Sequence, residues 1–299
     1  MTALIQNQKE ESHNAIKWKI FIITHGPIFD HYYENDYSFF ANHYCFFNLG
    51  EERIYSDIYE VINCIDCSGY VRLGKGYAES EAIYNIYRLH LYSAYEYVGF
   101  LHYDHELCSE EVRFSASISG IIEKTIEYNI SFISFASFPF SYDFNQNIMM
   151  DRKYPNTLYG KGNNCWHSII SDYNDYFKKS INVDFLMTKR INLCSSFMCC
   201  KSVYESLMEF YSTIIESKKL DFFDTYHKYR FQGLMLERYI GCFSHEYSMS
   251  EISILHHAQT TYKNKKLSLY QKIITVYCII KYSFKSLKSS LFSEFAKWK

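Results

Sequence analysis

Seven residues near the start, Trp18 to Thr24 (WKIFIIT), constrain the fold more than any other stretch. They are almost wholly β-branched or aromatic, and His25-Gly26-Pro27 cuts them off. A run this short and apolar reads as a buried strand, ended by the Gly-Pro pair. A strand that empties straight into such a loop is a common opening for a nucleotide-binding α/β sheet.

The pattern then alternates. Glu79 to Ala94 places Ala82, Ile83, Ile86 and Leu89 on one helical face. Tyr97 to His102 (YVGFLH) follows as a short apolar strand, with Asp104-His105-Glu106 at its carboxyl edge. Ile118 to Tyr128 predicts a helix and Ile130 to Phe135 a strand. Strands and helices in alternation predict an α/β fold with a mainly parallel central sheet, whose ligands bind beyond the carboxyl ends of the strands. Further on, Asp151 to Asn164 carries Pro155, Gly160 and Gly162 and reads as a long loop or lid. Helices are expected at Trp166 to Lys178, Lys201 to Ser217 and Phe222 to Tyr239, then a strand at Ile252 to Leu255. With no repeat and no linker, the organisation predicted is a loose N-terminus (1–17), a single domain (18–262) and a C-terminal tail (263–299).

Composition narrows the class. Of 299 residues 48% are hydrophobic and 21% charged, which excludes a disordered or fibrous chain. Tyr and Phe are abundant, 30 and 24 residues; codon usage is the simple source, though part of the surplus could line a sugar-stacking cleft. Ten cysteines form no disulfide framework. Cys64 and Cys67 make a C-x-x-C and Cys199 and Cys200 are adjacent, but neither pair has a partner pair at zinc-site spacing. The first residues lack the apolar core of a secretory signal, so reduced thiols and a cytoplasmic compartment are expected. The late run Ile273 to Ile280 falls far short of the roughly 20 apolar residues of a membrane span.

Charge is unevenly placed. From Lys263 onward there are nine lysines and one acid, a net of +8; the formal total of -2 leaves -10 on the preceding residues. In this tail Ile273, Ile280, Phe284, Leu287 and Leu291 recur at helical spacing, flanked by Lys281, Lys285 and Lys288. Such an amphipathic helix can lie on anionic lipid or pack its stripe on the acidic body. With the body acidic, nucleic acid is not an expected partner.

Asp104 and Glu106 are carboxylates one residue apart at a strand end, able to converge on a divalent cation; alone, the triplet could equally be a solvated acidic turn. Gly160-Lys161-Gly162-Asn163-Asn164-Cys165-Trp166 fits neither a P-loop nor a dinucleotide fingerprint. Trp166 there could stack on a sugar face or sit in the core. No G-x-S-x-G elbow supports hydrolase chemistry.

Tyr77-Ala78-Glu79-Ser80-Glu81-Ala82-Ile83-Tyr84, followed by Tyr97-Val98-Gly99-Phe100-Leu101-His102-Tyr103, resembles a bacterial family of capsular and exopolysaccharide glycosyltransferases often catalogued as a domain of unknown function. Its members show Y-x-E-x-x-A-x-Y, then D-Y-V-G-x-x-H-Y. Ser196-Phe197-Met198 and Leu236-Glu237-Arg238-Tyr239 extend the likeness, which spans roughly residues 18 to 260. Where that family usually has two arginines after the H-Y pair, this chain has Asp104-His105, which gives a D-x-D-like motif. The resemblance implies a GT-A-like fold and transfer of a sugar from a nucleotide-sugar donor to a surface glycan or lipid-linked acceptor. It places Thr24, His25 and Gly26 near the base and ribose, with Glu79 near the nucleotide. Asp104 and Glu106 would hold Mn²⁺ or Mg²⁺ against the diphosphate, joined by a late histidine, His257 or its neighbour His256. Glu237 is the candidate general base, or else pairs with Arg238 or Arg230 to orient its helix. The protein is then expected in the cytoplasm, peripheral at the inner membrane face. A noncatalytic carbohydrate-binding or scaffold protein of the same fold is the alternative.

Overall fold

The computed structural model describes residues 17–33, 41–103, 105–108, 115–144, 165–221, 230–247 and 253–256. The basic tail, the loop 151–164, Asp104 and His257 lie outside them. The described elements through Leu255 belong to one compact unit.

The strands run β1 (Trp18–Thr24), β2 (Tyr44–Asn48), β3 (Glu60–Asn63), β4 (Tyr97–His102), β5 (His105–Cys108), β6 (Phe132–Ser134), β7 (Ser137–Pro139), β8 (Arg190–Asn192), β9 (Phe197–Cys200) and β10 (Ser253–His256). Helices are α1 (Glu79–Arg88), α2 (Ser115–Glu127), α3 (Cys165–Phe177), α4 (Val183–Leu186), α5 (Lys201–Glu216) and α6 (Phe231–Ser244). The central sheet has the order β3-β2-β1-β4-β9-β6. From β3 to β4 all neighbours are parallel, whereas β9 runs antiparallel to both β4 and β6. The mainly parallel α/β architecture expected from the sequence is therefore present, with one reversed strand brought in from far downstream. Two small sheets, β10 with β5 and β7 with β8, complete the strands.

Both faces of the sheet are covered, which is why β1 shows no polar alternation. Trp18, Ile20 and Ile22 join Tyr44, Phe46, Leu101 and Met198 in one core. Phe21 and Ile23 enter the other, with Phe47, Val98, Phe100 and the buried faces of α1, α3, α5 and α6. Trp166 is wholly buried there and its Nε1 donates to Asp143 Oδ2 at 2.8 Å. It is a core residue, and stacking on a sugar is ruled out for it.

Two helices differ from expectation. The predicted helix to Ala94 stops at Arg88, where His90 turns left-handed (φ 54°) and Leu91 N donates to Ile86 O at 3.1 Å. That is a Schellman close, made without glycine. The helix expected from Phe222 is described from Phe231, after Arg230 at φ 55°, and continues to Ser244 because Ile240, Cys242 and Phe243 extend its buried face. Cys45, Cys64, Cys67, Cys165, Cys194, Cys199, Cys200 and Cys242 are free thiols. Burial pushes the Cys64 and Cys67 thiols up, which disfavours the thiolate that metal binding or redox exchange requires. Among the described residues no helix is long and apolar enough to cross a membrane.

Candidate active site

Each parallel strand is mostly apolar, save Lys19 in β1 and Glu60 in β3, and ends on a polar residue. Thr24, Asn48, Asn63 and His102 end β1, β2, β3 and β4. The register sets Thr24 beside Asn48, Asn48 beside Asn63, and Ile23 beside His102. Polar side chains therefore line one carboxyl edge. Asn48 Nδ2 donates to Asn63 Oδ1 at 2.9 Å, while Gly50 N donates to Asn48 Oδ1 at 2.8 Å and Ile54 N to Asn63 Oδ1 at 3.0 Å. These bonds fix the loop after β2. Thr24 Oγ1 accepts from Gly26 N at 3.2 Å, and its hydroxyl reaches Gly26 O at 2.9 Å. This small turn leaves the intervening His25 side chain 43% exposed.

The first turn of α1 faces this edge. Glu79 is buried, yet its carboxylate is surrounded by partners: His102 Nε2 lies 2.5 Å from Oε1, His25 Nε2 at 4.0 Å, and Arg230 Nη2 donates to the same oxygen. Burial acts to raise the Glu79 pKa, but the hydrogen bond from His102, the nearby His25 ring and the charges of His102 and Arg230 bring it well below the usual carboxylate range. Glu81, one turn face away, has a structural task. It accepts from Leu73 N at 2.8 Å and Gly74 N at 3.0 Å, takes the Tyr70 hydroxyl, and pairs with Arg72 at 3.3 Å.

Glu237 arrives from α6, two turns beyond Arg230 and so on the same face. Neither arginine that could pair with it does so. Arg230 is on Glu79, and Arg238 is bidentate to Asp143 at 2.9 and 2.9 Å. Among the described residues no hydrogen bond or ion pair engages the Glu237 carboxyl. Burial, then the Glu79 charge, push it up to about 7, against the opposing pull of Arg238 and Arg230. Two carboxyl groups in one neighbourhood thus have pKa values driven apart, the usual mark of an acid/base assignment. α6 approaches α1 this closely through glycine: Gly233 N donates to Gly76 O at 2.9 Å, and a Cβ on Gly233 would lie 2.8 Å from Tyr77 O.

A cleft of about 410 Å³, within the range of ligand pockets, opens beside these groups. Among the described residues its lining sets Arg72, Lys75 and Arg230 against Glu51 and Glu81, a mixed charge with a small basic excess, and includes no Phe, Tyr or Trp. The tyrosine and phenylalanine surplus is instead heavily spent on the core. Backbone strain gathers here too. Ala78 (φ 50°) and Arg230 (φ 55°) flank Glu79, and Cys194 and Ser195 (φ 62° and 49°) lead into β9. The Cys194 thiol, pushed up to about 12, feels burial first and the Glu237 charge next.

Of the residues singled out in the sequence, Thr24, His25, Gly26, Glu79 and Glu237 come together. Glu106 lies on β5, while Asp104 and His257 fall outside the described residues. Sequence reasoning missed Arg72 and Lys75, which carry no motif, and named Arg230 only as a partner for Glu237, whereas it pairs with Glu79. It also missed the role of His102, although that residue stands in the quoted YVGFLH strand.

In comparison with solved structures, the chain is similar to the bifunctional glycosyltransferase WbbM in its apo form, with a TM-score of 0.53 and 14% identity over 81% of this chain and 45% of WbbM. The chain thus spans less than half the length of WbbM. It also aligns with the mannosyltransferase Ktr4p from S. cerevisiae (TM-score 0.33, 13% identity, 85% of this chain and 80% of Ktr4p) and with the same protein in complex with GDP (TM-score 0.31, 12% identity, the same coverage). No protein-family model matches the chain, and no curated protein does. The WbbM likeness establishes a glycosyltransferase-like α/β fold, and the superpositions on Ktr4p are too loose to add to it.

Proposed function

We propose that the protein is a glycosyltransferase, moving a sugar from a nucleotide-sugar donor to a surface glycan or lipid-linked acceptor. The observation that carries this is Glu237, a half-buried carboxyl pushed up to about 7 and hydrogen-bonded to none of the described residues, two turns from the cleft-lining Arg230 at the carboxyl edge of a glycosyltransferase-like sheet. The acceptor hydroxyl oxygen forms its bond to the anomeric carbon as Glu237 takes the hydroxyl proton. The bond from that carbon to the diphosphate oxygen breaks, and the nucleoside diphosphate leaves with the electron pair. Arg72, Lys75 and Arg230 face the cleft where that negative charge collects. A divalent cation, Mn²⁺ or Mg²⁺, offsets the same charge when bound. Thr24, His25 and Gly26 are the donor-side residues of this reading, and Asp104 lies in the segment just beyond β4. The basic tail docks on anionic membrane from the cytoplasmic side, so truncation at residue 267 lowers binding to anionic vesicles; unchanged binding removes that part.

The test is a thermal-shift screen of nucleoside diphosphates and sugar nucleotides, with and without Mn²⁺. A ligand at 100 times its Kd stabilises the fold by about 2.7 kcal/mol. With the donor so identified, Glu237→Gln lowers turnover about 100- to 10,000-fold while its nucleotide shift persists. No shift with any nucleotide, or full activity in Glu237→Gln, overturns the reading and favours a noncatalytic carbohydrate-binding or scaffold role.

A further inference from the structure

We infer that His25, Glu79 and His102 form a transition-metal site at the carboxyl edge of the sheet, one that takes Mn²⁺-class ions in preference to Mg²⁺. The three residues come from separate elements, the turn after β1, the first turn of α1 and the end of β4. Each offers one ligand atom, and the three atoms lie within 4.8 Å of one another. Two imidazoles with one carboxylate suit Mn²⁺ and the later divalent metals, whereas Mg²⁺ sites are built from oxygen.

The spacing is close to what an ion needs. Ligands bound at about 2.1 Å sit roughly 3.0–3.4 Å apart in octahedral or tetrahedral geometry. The distances to Glu79 Oε1, 2.5 Å from His102 and 4.0 Å from His25, bracket that value. The ion would enter between His102 and Glu79, with the exposed His25 ring bordering the same space. Arg230, bonded to the same carboxylate, is an outer partner that keeps Glu79 oriented. Three protein ligands leave positions open, as in catalytic metal sites. His25 and Arg230 also line the cleft, so the ion would sit at its edge, beside the space proposed for the diphosphate. The sequence assigned the ion to Asp104, Glu106 and His257. The geometry points instead to residues that the fold has already gathered.

The inference rests on the transferase reading for the ion's purpose, but ion binding is measured without any donor. Metal-free full-length protein is titrated with MnCl₂ and followed by electron paramagnetic resonance. The bound ion is expected to show coupling to imidazole nitrogen, and equimolar Mg²⁺ should not displace it. His25→Ala and His102→Ala are each expected to weaken Mn²⁺ binding at least about tenfold and to reduce the nitrogen coupling. The exposed His25 makes its variant the one least able to disturb folding, with the melting temperature as control. No Mn²⁺ binding, binding unchanged in both variants, or a bound ion without nitrogen coupling overturns the site; the last would return the ion to Asp104 and Glu106. A nucleotide thermal shift that survives any of these results leaves the transferase reading standing.

Discussion

The first turn of α1 and the middle of α6 treat a carboxyl group in opposite ways, one buried and the other half-buried. At α1, Glu79 is ringed by His102, His25 and Arg230 and stays ionised far into acid. At α6, Glu237 has no such ring, since Arg238 is committed to Asp143 and Arg230 to Glu79, and burial raises it to about 7. Both glutamates lose water on folding, Glu79 more fully than Glu237. What separates them is the supply of hydrogen-bond donors, and that decides which one can hold a proton at neutral pH.

The contrast can be broken first at Glu79. Its pKa is lowered on folding, so its stabilisation is present above the unfolded value near 4.5 and is lost as pH falls through the folded value. Glu79→Gln leaves the half-exposed Arg230 beside a neutral amide and should cost about 1.5–3 kcal/mol near neutrality. Chemical denaturation at pH 7 and at low pH checks this, with the two proteins converging in acid; an equal loss at both values would mean that packing, not charge, is at stake. Glu237 carries the opposite sign. Its raised pKa means that stability is fully present below about 4.5 and is lost as pH rises through about 7. The interval of about 2.5 pH units corresponds to about 3 kcal/mol, so Glu237→Gln should be the more stable protein at pH 8 and nearly equal to wild type at pH 4. Wild-type turnover should also rise through about pH 7, falling tenfold per unit below it. Because the Glu79 charge contributes to that midpoint, Glu79→Gln should shift it to lower pH; a fixed midpoint would uncouple the two regions.

A smaller effect sharpens the comparison at the backbone. The non-glycine residues with positive φ fall into two groups. His90, Asn129, Lys178 and Lys218 follow the carboxyl ends of α1, α2, α3 and α5, where a left-handed residue closes a helix. Ala78, Cys194, Ser195 and Arg230 gather near the two glutamates and end no helix. Ala78, at φ 50° and ψ −133°, sits in a region that suits glycine. Ala78→Gly should therefore stabilise by about 1 kcal/mol, whereas Asn129→Gly should change stability by less than about 0.5 kcal/mol. Equal changes in the two variants would remove the idea that strain is concentrated at the site.

Much of the fold was legible because both faces of the sheet are buried. That makes β1 and β4 continuous apolar runs with abrupt polar ends, and α1, α3 and α5 carry clear helical stripes. β9 was not legible as a strand, because four residues ending in Cys199-Cys200 carry little local signal; its partners β4 and β6 supply the pattern. Glu79 and Glu237 were found through motif resemblance. Their division of labour was hidden, since it depends on Arg230 reaching Glu79 across 151 positions of chain and on Asp143 holding Arg238 across 95.

By itself the sequence determined the α/β class, the position of the first strand and the loop that ends it, and the acidic body with its basic tail. These follow from local periodicity, breakers and composition, which need no partner to be read. Tertiary structure alone decided that His25, His102, Arg230 and Glu79 share one space, that Trp166 belongs to the core, and that Glu237 is left without a counter-ion among the described residues. Each is a relation between distant segments, and the pKa of a buried group is set by what surrounds it rather than by its neighbours in sequence.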